Sequence, residues 1–171
     1  MAYRAPAMAQ SAYRSGAFAL MLALGTILAA LAFERFGGYD PCPLCLMQRF
    51  AYYAGIPALF AGLVLVAAER PKLAALLFFA VALGFLANSG LGVYHAGVEW
   101  KFWPGPDTCS AVLKPLPLRT TDLLNNIPVV TRCDEAAWRF AGLSFAGWNV
   151  VASFVAFIAS LQAAFAASER A

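Results

Sequence analysis

The chain has 171 residues, of which 62% are hydrophobic and only 12% are charged, and its formal net charge is +3. A soluble domain of this size needs more polar side chains than this to cover its surface, so the composition excludes an ordinary soluble protein and indicates a chain with lipid as its solvent. No basic stripe interleaved with aromatic residues is present in the sequence, which argues against nucleic-acid binding.

Four uncharged hydrophobic runs follow one another along the chain, and each is long enough to cross a bilayer. A hydrocarbon core of about 30 Å needs about 20 helical residues, and backbone groups in lipid must be paired within their own segment. The sequence therefore predicts four transmembrane helices, at about 16–33, 46–68, 73–94 and 143–167. The whole chain, 1–171, is predicted to form a single domain, an all-α membrane protein built as a four-helix bundle.

The first run has features of a secretory signal peptide, because Arg4 and Arg14 precede it. It is long for a signal sequence, however, and Glu34 and Arg35 follow it where a cleavage site would require small residues. We therefore expect an uncleaved first span.

The connections between the spans are very unequal in length. A short loop at about 34–45 joins the first two spans, a tight turn at Pro71 joins the second and third, and a long loop at about 95–142 precedes the fourth. The long loop is rich in Pro, Gly, Asp and Asn, which favours turns and extended backbone. A short amphipathic helix is expected within it, at about 120–126.

The orientation of the bundle is predicted from its positive charges. The tight turn carries Arg70 and Lys72, and both tails carry further arginines. Lys and Arg in short connections favour the cytoplasmic face, so both termini are expected inside. All four cysteines then lie in the two loops of the opposite face, outside the cytoplasm, where disulfides persist because the surroundings are oxidising.

The first cysteine pair is the C-P-L-C motif, Cys42 to Cys45, at the start of the second span. Sulfurs three residues apart can close a small disulfide ring, and such rings tend to be redox-active. Cys45 is expected near a helix N-terminus, where the backbone N–H groups and the helix dipole favour a thiolate. Arg49 follows one helical turn later, where its guanidinium can favour that thiolate and hydrogen-bond a carbonyl oxygen beside it. The alternative for Arg49 is an interfacial anchor that binds lipid phosphate.

The second pair, Cys109 and Cys133, lies in the long loop. A disulfide between them could simply staple the loop and stabilise it by a few kcal/mol. The other pair on the same face favours thiol exchange instead, because a soluble thiol can reach a long Pro-rich loop. The segment 104–108 predicts an extended, exposed approach to Cys109, and the acidic residues after Cys133 disfavour a thiolate there.

Taken in this order, the motifs resemble those of the bacterial DsbB family of disulfide-bond oxidoreductases. The resemblance covers nearly the whole chain, whereas a C-x-x-C motif alone would not be specific. The matching features are C-P-L-C-x-x-Q-R over 42–49, Y-H-A-G-V-E over 94–99, the Cys109 and Cys133 pair, Trp138, G-L-S over 142–144 and W-N at 148–149.

The resemblance implies a four-helix enzyme of the bacterial inner membrane, with both termini in the cytoplasm and the loops at about 34–45 and 95–142 in the periplasm. Such an enzyme oxidises a thioredoxin-like dithiol protein of the periplasm, a DsbA-like partner, and so sustains disulfide bond formation. The electrons pass to a membrane quinone, which could be ubiquinone or menaquinone.

Roles for the cysteines follow from the resemblance by matching position. Cys109 would form the mixed disulfide with the partner, and Cys133 would be its loop mate. The pair of Cys42 and Cys45 would then oxidise the loop pair.

The resemblance also implies a quinone site. Cys45 would lie nearest the quinone, and Arg49 would lie beside a quinone oxygen. His95 is a further candidate for quinone contact, and its alternative is a satisfied surface residue at the membrane interface. No metal is required by this chemistry.

Three other interpretations stay open at the level of the sequence. A vitamin K epoxide reductase-like quinone enzyme also has four helices and two cysteine pairs, but its loop cysteines precede the C-x-x-C motif. A non-enzymatic membrane protein with structural loop disulfides predicts cysteines that stay oxidised and a replaceable Arg49. A zinc site made by the four cysteines usually needs two C-x-x-C-like knuckles, and the spacing of Cys109 and Cys133 does not supply the second.

Overall fold

A computed structural model describes residues 4–109 and 132–169 of the chain. Four long helices make up most of that part, with a short 3-10 turn at Asp107–Cys109. The segment at about 120–126, where an amphipathic helix was expected, lies outside the described residues. The helices are α1 (Arg4–Gly37), α2 (Pro43–Ala67), α3 (Pro71–Glu99) and α4 (Phe145–Ser168), and an antiparallel ribbon of β1 (Arg139–Phe140) and β2 (Leu143–Ser144) precedes α4.

Each of the four helices is long and apolar enough to cross a membrane. The share of the apolar window that is buried inside the protein ranges from 28% in α1 to 44% in α4, so most of the apolar surface faces outward. A surface of this kind is stable against lipid rather than water. The predicted fold class, an all-α bundle of four membrane-spanning helices, is confirmed.

The helices pack in a ring, in which α1 and α3 each contact both α2 and α4. Small side chains let them approach closely, as expected where packing rather than the hydrophobic effect holds helices together in lipid. The ring of Phe78 on α3 lies against Gly62 on α2 and Gly16 on α1, and Phe85 lies against Gly55. Glycine is required at Gly62 because a Cβ there would stand 2.6 Å from the Phe78 ring.

Two helices extend beyond the spans expected from the uncharged runs. α1 begins at Arg4 rather than near residue 16, and α3 continues to Glu99 rather than ending near residue 94. An uncharged run marks the part of a helix that lipid can surround, whereas the helix itself continues as long as its backbone hydrogen bonds do. His95 and Glu99 therefore lie in the last turns of α3 and not in a loop.

Candidate active site

The C-P-L-C motif itself forms the N-terminus of α2. Cys42 is the N-cap residue, with an extended backbone, and its sulfur accepts the backbone N–H of Cys45 at 3.2 Å. Pro43 occupies the first turn, where its missing N–H leaves no helical hydrogen bond unmade. The two sulfurs lie 2.7 Å apart. A hydrogen bond to the Cys45 sulfur, together with burial, raises the pKa of the Cys42 thiol, so Cys42 keeps its proton in the reduced pair.

The second pair lies directly against the first. Cys109 and Cys133 are joined by a disulfide, and their side chains are buried. Both belong to one apolar cluster with Cys42, Leu44 and Val98, against which Cys45 also packs. The structure therefore brings all four sequence-predicted cysteines together, although Cys109 and Cys133 are far from the motif along the chain.

The exposed approach predicted over 104–108 is confirmed only in part, because Pro104 and Asp107 are exposed but Cys109 itself is buried, with 4% of the residue exposed. The chain does not approach it in an extended form, because Asp107–Cys109 is a 3-10 turn closed by the Cys109 N–H donating to the Pro106 carbonyl at 2.8 Å. That turn folds the disulfide onto Val98 at the end of α3. The physical reason is burial of the apolar sulfur atoms, which a Pro-rich pattern does not reveal.

The acidic residues after Cys133 were expected to disfavour a thiolate at Cys133, but Asp134 is paired with two cations. The Lys101 ammonium group lies 2.5 Å from the Asp134 carboxylate. Arg132 donates to both carboxylate oxygens of Asp134 at 3.0 Å. These hydrogen bonds, first from Arg132 and then from Lys101, lower the pKa of Asp134. Its negative charge is therefore compensated by cations, which weakens the argument that it disfavours a thiolate at Cys133.

Arg49 has a partner that the sequence argument did not assign. Its guanidinium donates to the Glu34 carboxylate of α1 at 2.5 Å, and the side chains are 13% and 28% exposed. An arginine at the edge of a bilayer is costly without a partner, and Glu34 provides one. In the sequence, Glu34 was recognised only as the charged residue that ends the first uncharged run. The pair connects α1 to α2 beside the C-P-L-C motif.

His95 is buried rather than a surface residue of the membrane interface, with 2% of it exposed. Its Nε2 lies 3.6 Å from the Cys42 sulfur, and its Nδ1 lies 3.0 Å from the Gln48 amide nitrogen. The Glu99 carboxylate stands 3.8 Å from the same Nε2. Gln48 and Glu99 both belong to the sequence motifs. Gln48 follows Cys45 by one helical turn and Glu99 follows His95 by one turn, and this spacing is the only signal in the sequence that could have marked them as site residues.

One cavity connects these groups. It has a volume of about 570 Å³ and is lined by Cys42, Cys45, Arg49, His95 and Glu99 among others. One wall is aromatic, with rings from α1, the first loop and the segment 138–145 that leads into α4. The ring centroids of Phe33 and Trp138 lie 5.1 Å apart, those of Trp138 and Phe145 lie 4.9 Å apart, and Tyr39 stands edge-on to Phe33 and Phe145.

A buried polar cluster closes the cavity on the side of the bundle core. The Tyr52 hydroxyl donates to Asn149 Oδ1 at 2.8 Å and lies 2.9 Å from the Ser153 hydroxyl, which also accepts from Asn88 at 2.9 Å. Tyr52 and Asn149 both line the cavity. These hydrogen bonds join α2, α3 and α4, as polar side chains commonly do between helices in lipid.

Comparisons with known proteins identify the family of the chain. The family described as "Disulfide bond formation protein DsbB" matches residues 13–163. The chain is 31% identical to "Disulfide bond formation protein B" of Azoarcus sp. (strain BH72) over 140 residues, which is 78% of this chain and 77% of that protein. It is 34% identical to the protein of the same name from Methylococcus capsulatus (strain ATCC 33009 / NCIMB 11132 / Bath) over 128 residues, 73% of this chain and 77% of that protein.

A third relative, "Disulfide bond formation protein B" of Marinobacter nauticus (strain ATCC 700491 / DSM 11845 / VT8), is 31% identical over 134 residues, 77% of this chain and 79% of that protein. No solved structure was found to match the chain. The family match favours a disulfide-forming enzyme of the DsbB family over the vitamin K epoxide reductase-like enzyme and over a non-enzymatic membrane protein. The chain belongs to the DsbB family of disulfide bond formation proteins, which are protein-disulfide oxidoreductases of the bacterial inner membrane.

Proposed function

We propose that this protein oxidises a DsbA-like dithiol protein of the periplasm and passes the electrons through its two cysteine pairs to a membrane quinone. The observation that carries the proposal is the single cluster formed by the loop disulfide and Cys42, with Cys45 packed against it. Thiol–disulfide exchange requires direct contact between sulfur atoms, and membership of one cluster keeps the two pairs close to each other. The cavity beside Cys45 then supplies a place for an acceptor.

The first exchange oxidises the partner. A partner thiolate attacks Cys109, the bond between Cys109 and Cys133 breaks, and Cys133 leaves as a thiolate. The second partner thiolate then attacks the mixed disulfide, so that the partner leaves oxidised and the loop pair holds two electrons. Because Cys109 is buried, the 3-10 turn at Asp107–Cys109 must open before the partner's sulfur can reach it.

The second exchange moves these electrons to the C-P-L-C pair. A loop thiolate attacks an oxidised Cys42, and the bond between Cys42 and Cys45 breaks with Cys45 as the leaving thiolate. The other loop thiolate closes the loop disulfide again, which returns Cys42 as a thiol. Two features favour this direction of attack: Cys42 belongs to the cluster with the loop disulfide, and Cys45 lies one helical turn from the positive charge of Arg49.

The residues around the cavity fit the head group of a quinone. A volume of about 570 Å³ is in the range of small-molecule sites, and the aromatic wall suits a flat ring. Two buried polar atoms of lining residues, Glu99 Oε2 and Asn149 Nδ2, have no hydrogen-bond partner among the described residues. When bound, a quinone supplies an acceptor for two electrons and two protons. Arg49 would hold it through a ring oxygen.

The orientation that the proposal needs follows from the helices. If all four helices cross the membrane, both ends of the chain lie on one face and the cysteine pairs on the other, which supports this orientation. We propose that the face with the cysteines is periplasmic, because Arg70 and Lys72 concentrate positive charge in the short turn on the opposite face. A membrane-impermeant thiol reagent added to reduced spheroplasts should therefore label cysteines in the long loop.

The proposed function is tested by turnover of the purified chain. We expect the protein in detergent, given a reduced DsbA-like protein and ubiquinone or menaquinone, to reduce one quinone for each disulfide formed in the donor. The absorbance of the quinone and alkylation of the donor's thiols measure the two sides of this balance. Absence of quinone reduction with both quinones, while the chain remains folded, would overturn the proposal.

Replacing Arg49 tests the quinone site. Arg49→Gln should raise the KM for quinone by about 10- to 100-fold, because a hydrogen bond from a charged donor contributes about 1.5–3 kcal/mol. The matched control is Arg35→Gln, which removes an exposed arginine next to Glu34 that does not line the cavity. An unchanged KM in Arg49→Gln would return Arg49 to the role of a lipid anchor.

A further inference from the structure

The reduced C-P-L-C motif and His95 together form a set of metal ligands. The ligand atoms of Cys42, Cys45 and His95 all lie within 4.8 Å of one another, and Cys42 and His95 are buried. Cys42 and Cys45 lie at the start of α2 and His95 lies near the end of α3, so the packing of the two helices brings the three residues together. A dithiol beside an imidazole is a donor set that Zn²⁺ and Cd²⁺ prefer.

A buried carboxylate stands next to His95. Glu99 lies one turn after His95 on α3, with its Oε1 3.8 Å from His95 Nε2. Its side chain is 5% exposed, and its Oε2 has no hydrogen-bond partner among the described residues. A buried carboxylate with an unpaired oxygen gains stability from a cation nearby. Cys42, Cys45, His95 and Glu99 thus offer two sulfurs, one nitrogen and one oxygen.

The distance between Cys42 and His95 agrees with tetrahedral coordination. Bond lengths of about 2.3 Å for zinc to sulfur and about 2.0–2.1 Å for zinc to nitrogen place neighbouring sulfur and nitrogen ligands about 3.6 Å apart. The Cys42 sulfur and His95 Nε2 lie 3.6 Å apart. The two sulfurs, now at 2.7 Å, would have to separate to about 3.8 Å, which side-chain rotation in the reduced pair can provide.

The surroundings of His95 also suit a ligand. Coordination through Nε2 requires the proton on Nδ1, and a ligating histidine usually donates that proton to a neighbouring acceptor. The Gln48 side-chain amide lies at hydrogen-bond distance from Nδ1, and its oxygen can take the place of its nitrogen by rotation about the last bond. The cavity lining also carries the exposed carboxylates of Asp40 and Glu135, together with the guanidinium groups of Arg49 and Arg132. Arg49 is paired with Glu34.

We propose that the reduced protein binds one Zn²⁺ or Cd²⁺ ion through Cys42, Cys45 and His95, with Glu99 as the fourth ligand. Binding replaces the two thiol protons with one metal ion and changes no oxidation state. While the ion is bound, both sulfurs are occupied, so the bond between Cys42 and Cys45 cannot form. A thiophilic metal ion therefore inhibits the reduced enzyme and spares the oxidised one. Only this inhibition, and not the binding itself, rests on the proposed function.

Cadmium titration of a loop-cysteine variant tests the site. The double variant Cys109→Ser with Cys133→Ser removes the other thiols, so every sulfur that binds Cd²⁺ belongs to the C-P-L-C motif. After reduction with a phosphine, we expect the ultraviolet charge-transfer absorption of cadmium thiolate to saturate at one ion per chain. The oxidised double variant should show no such absorption. Absence of the absorption in the reduced, folded variant would overturn the proposal.

Ligand variants in the same background separate this site from a simple dithiol. His95→Ala should weaken Cd²⁺ binding at least tenfold, and Glu99→Gln, which keeps the size of the side chain, should weaken it severalfold. Gly90→Ala is the control on the same helix, because a Cβ at Gly90 meets no atom within 4 Å. Unchanged binding in both ligand variants would overturn the assignment of α3 to the site. If His95→Ala does not fold, Glu99→Gln alone decides.

Activity distinguishes failure of this inference from failure of the proposed function. Reduced wild-type protein treated with Cd²⁺ and then freed of unbound ion should lose turnover and recover it with a chelator. Protein treated in the oxidised state and freed of Cd²⁺ in the same way should keep its turnover. Turnover without any metal binding would overturn the metal site alone. Metal binding in a chain that cannot reduce quinone would overturn the proposed function and leave the metal site standing.

Discussion

Replacing Cys133 with alanine should leave Cys109 covalently joined to the partner protein. In the variant, the Cys109 thiolate attacks the disulfide of an oxidised partner molecule, and one partner sulfur leaves as a thiolate. Because Cys133 is absent, Cys109 has no loop mate to displace the partner from this mixed disulfide, so the complex accumulates. We expect at least a tenfold increase over the wild type in a DsbA-sized adduct, measured on non-reducing gels of membranes from cells that contain the partner. The adduct should disappear on reduction, and mass spectrometry should place the bond at Cys109.

The reciprocal variant is the control for this trap. Cys109→Ala leaves Cys133 as the single loop thiol. Only 1% of Cys133 is exposed in the folded protein. This variant should give little or no adduct if Cys109 is the sulfur that meets the partner. An adduct through Cys133 in place of Cys109 would reverse the assigned roles, and the absence of any adduct in both variants would remove the loop pair from the reaction.

Replacing Cys45 with serine should stop turnover almost completely, with a loss of more than about a thousandfold in kcat. A serine hydroxyl holds its proton far more tightly than a thiol and forms no disulfide, so the C-P-L-C pair can neither form its disulfide nor pass electrons on. The loop disulfide should still oxidise one equivalent of the partner. The expected result is a single burst of donor disulfide, measured by alkylation, with no quinone reduced.

Both serine variants keep the N-terminal cap of α2, so a loss of activity in them reports lost chemistry and not a damaged structure. Cys45 contributes its backbone N–H to the cap of α2, and serine keeps that group. Cys42→Ser is a matched variant, because serine is among the preferred N-cap residues and its hydroxyl can accept the same N–H. Both variants should unfold close to the wild-type temperature in detergent and both should be inactive. Sustained quinone reduction by Cys45→Ser would contradict the account.

The number of spans and the chemical character of the site could be predicted from the sequence, because both depend on local features. An uncharged run long enough for a bilayer determines a span, and the C-P-L-C spacing determines a pair of sulfurs at a helix start. The α3 boundary could not be predicted in the same way. The uncharged run ends at Val98, and nothing in it shows that the helix carries His95 and Glu99 inward instead of releasing them to a loop.

Contacts between distant segments account for the other differences. The partner of Arg49 is Glu34 from the end of α1, and only the packing of α1 against α2 brings the two together. The burial of Cys109 depends on the surface offered by Val98 and Cys42, which the Pro-rich segment before it does not encode. The aromatic wall is likewise assembled from three separate parts of the chain, including Phe33, Tyr39 and Trp138.

The proposed function depends most on the transfer of electrons from the loop pair to the C-P-L-C pair. The most direct test is to measure, over time, which of the two pairs is reduced. Fully oxidised, quinone-free protein is mixed with an excess of the reduced DsbA-like protein, quenched with an alkylating reagent and mapped by mass spectrometry. We expect the alkylating reagent to label Cys109 and Cys133 first, and Cys42 and Cys45 at later times. In the double variant Cys109→Ser with Cys133→Ser, we expect no label at Cys42 and Cys45. Label that stays confined to the loop pair, or that reaches Cys42 and Cys45 equally fast without it, would contradict the account.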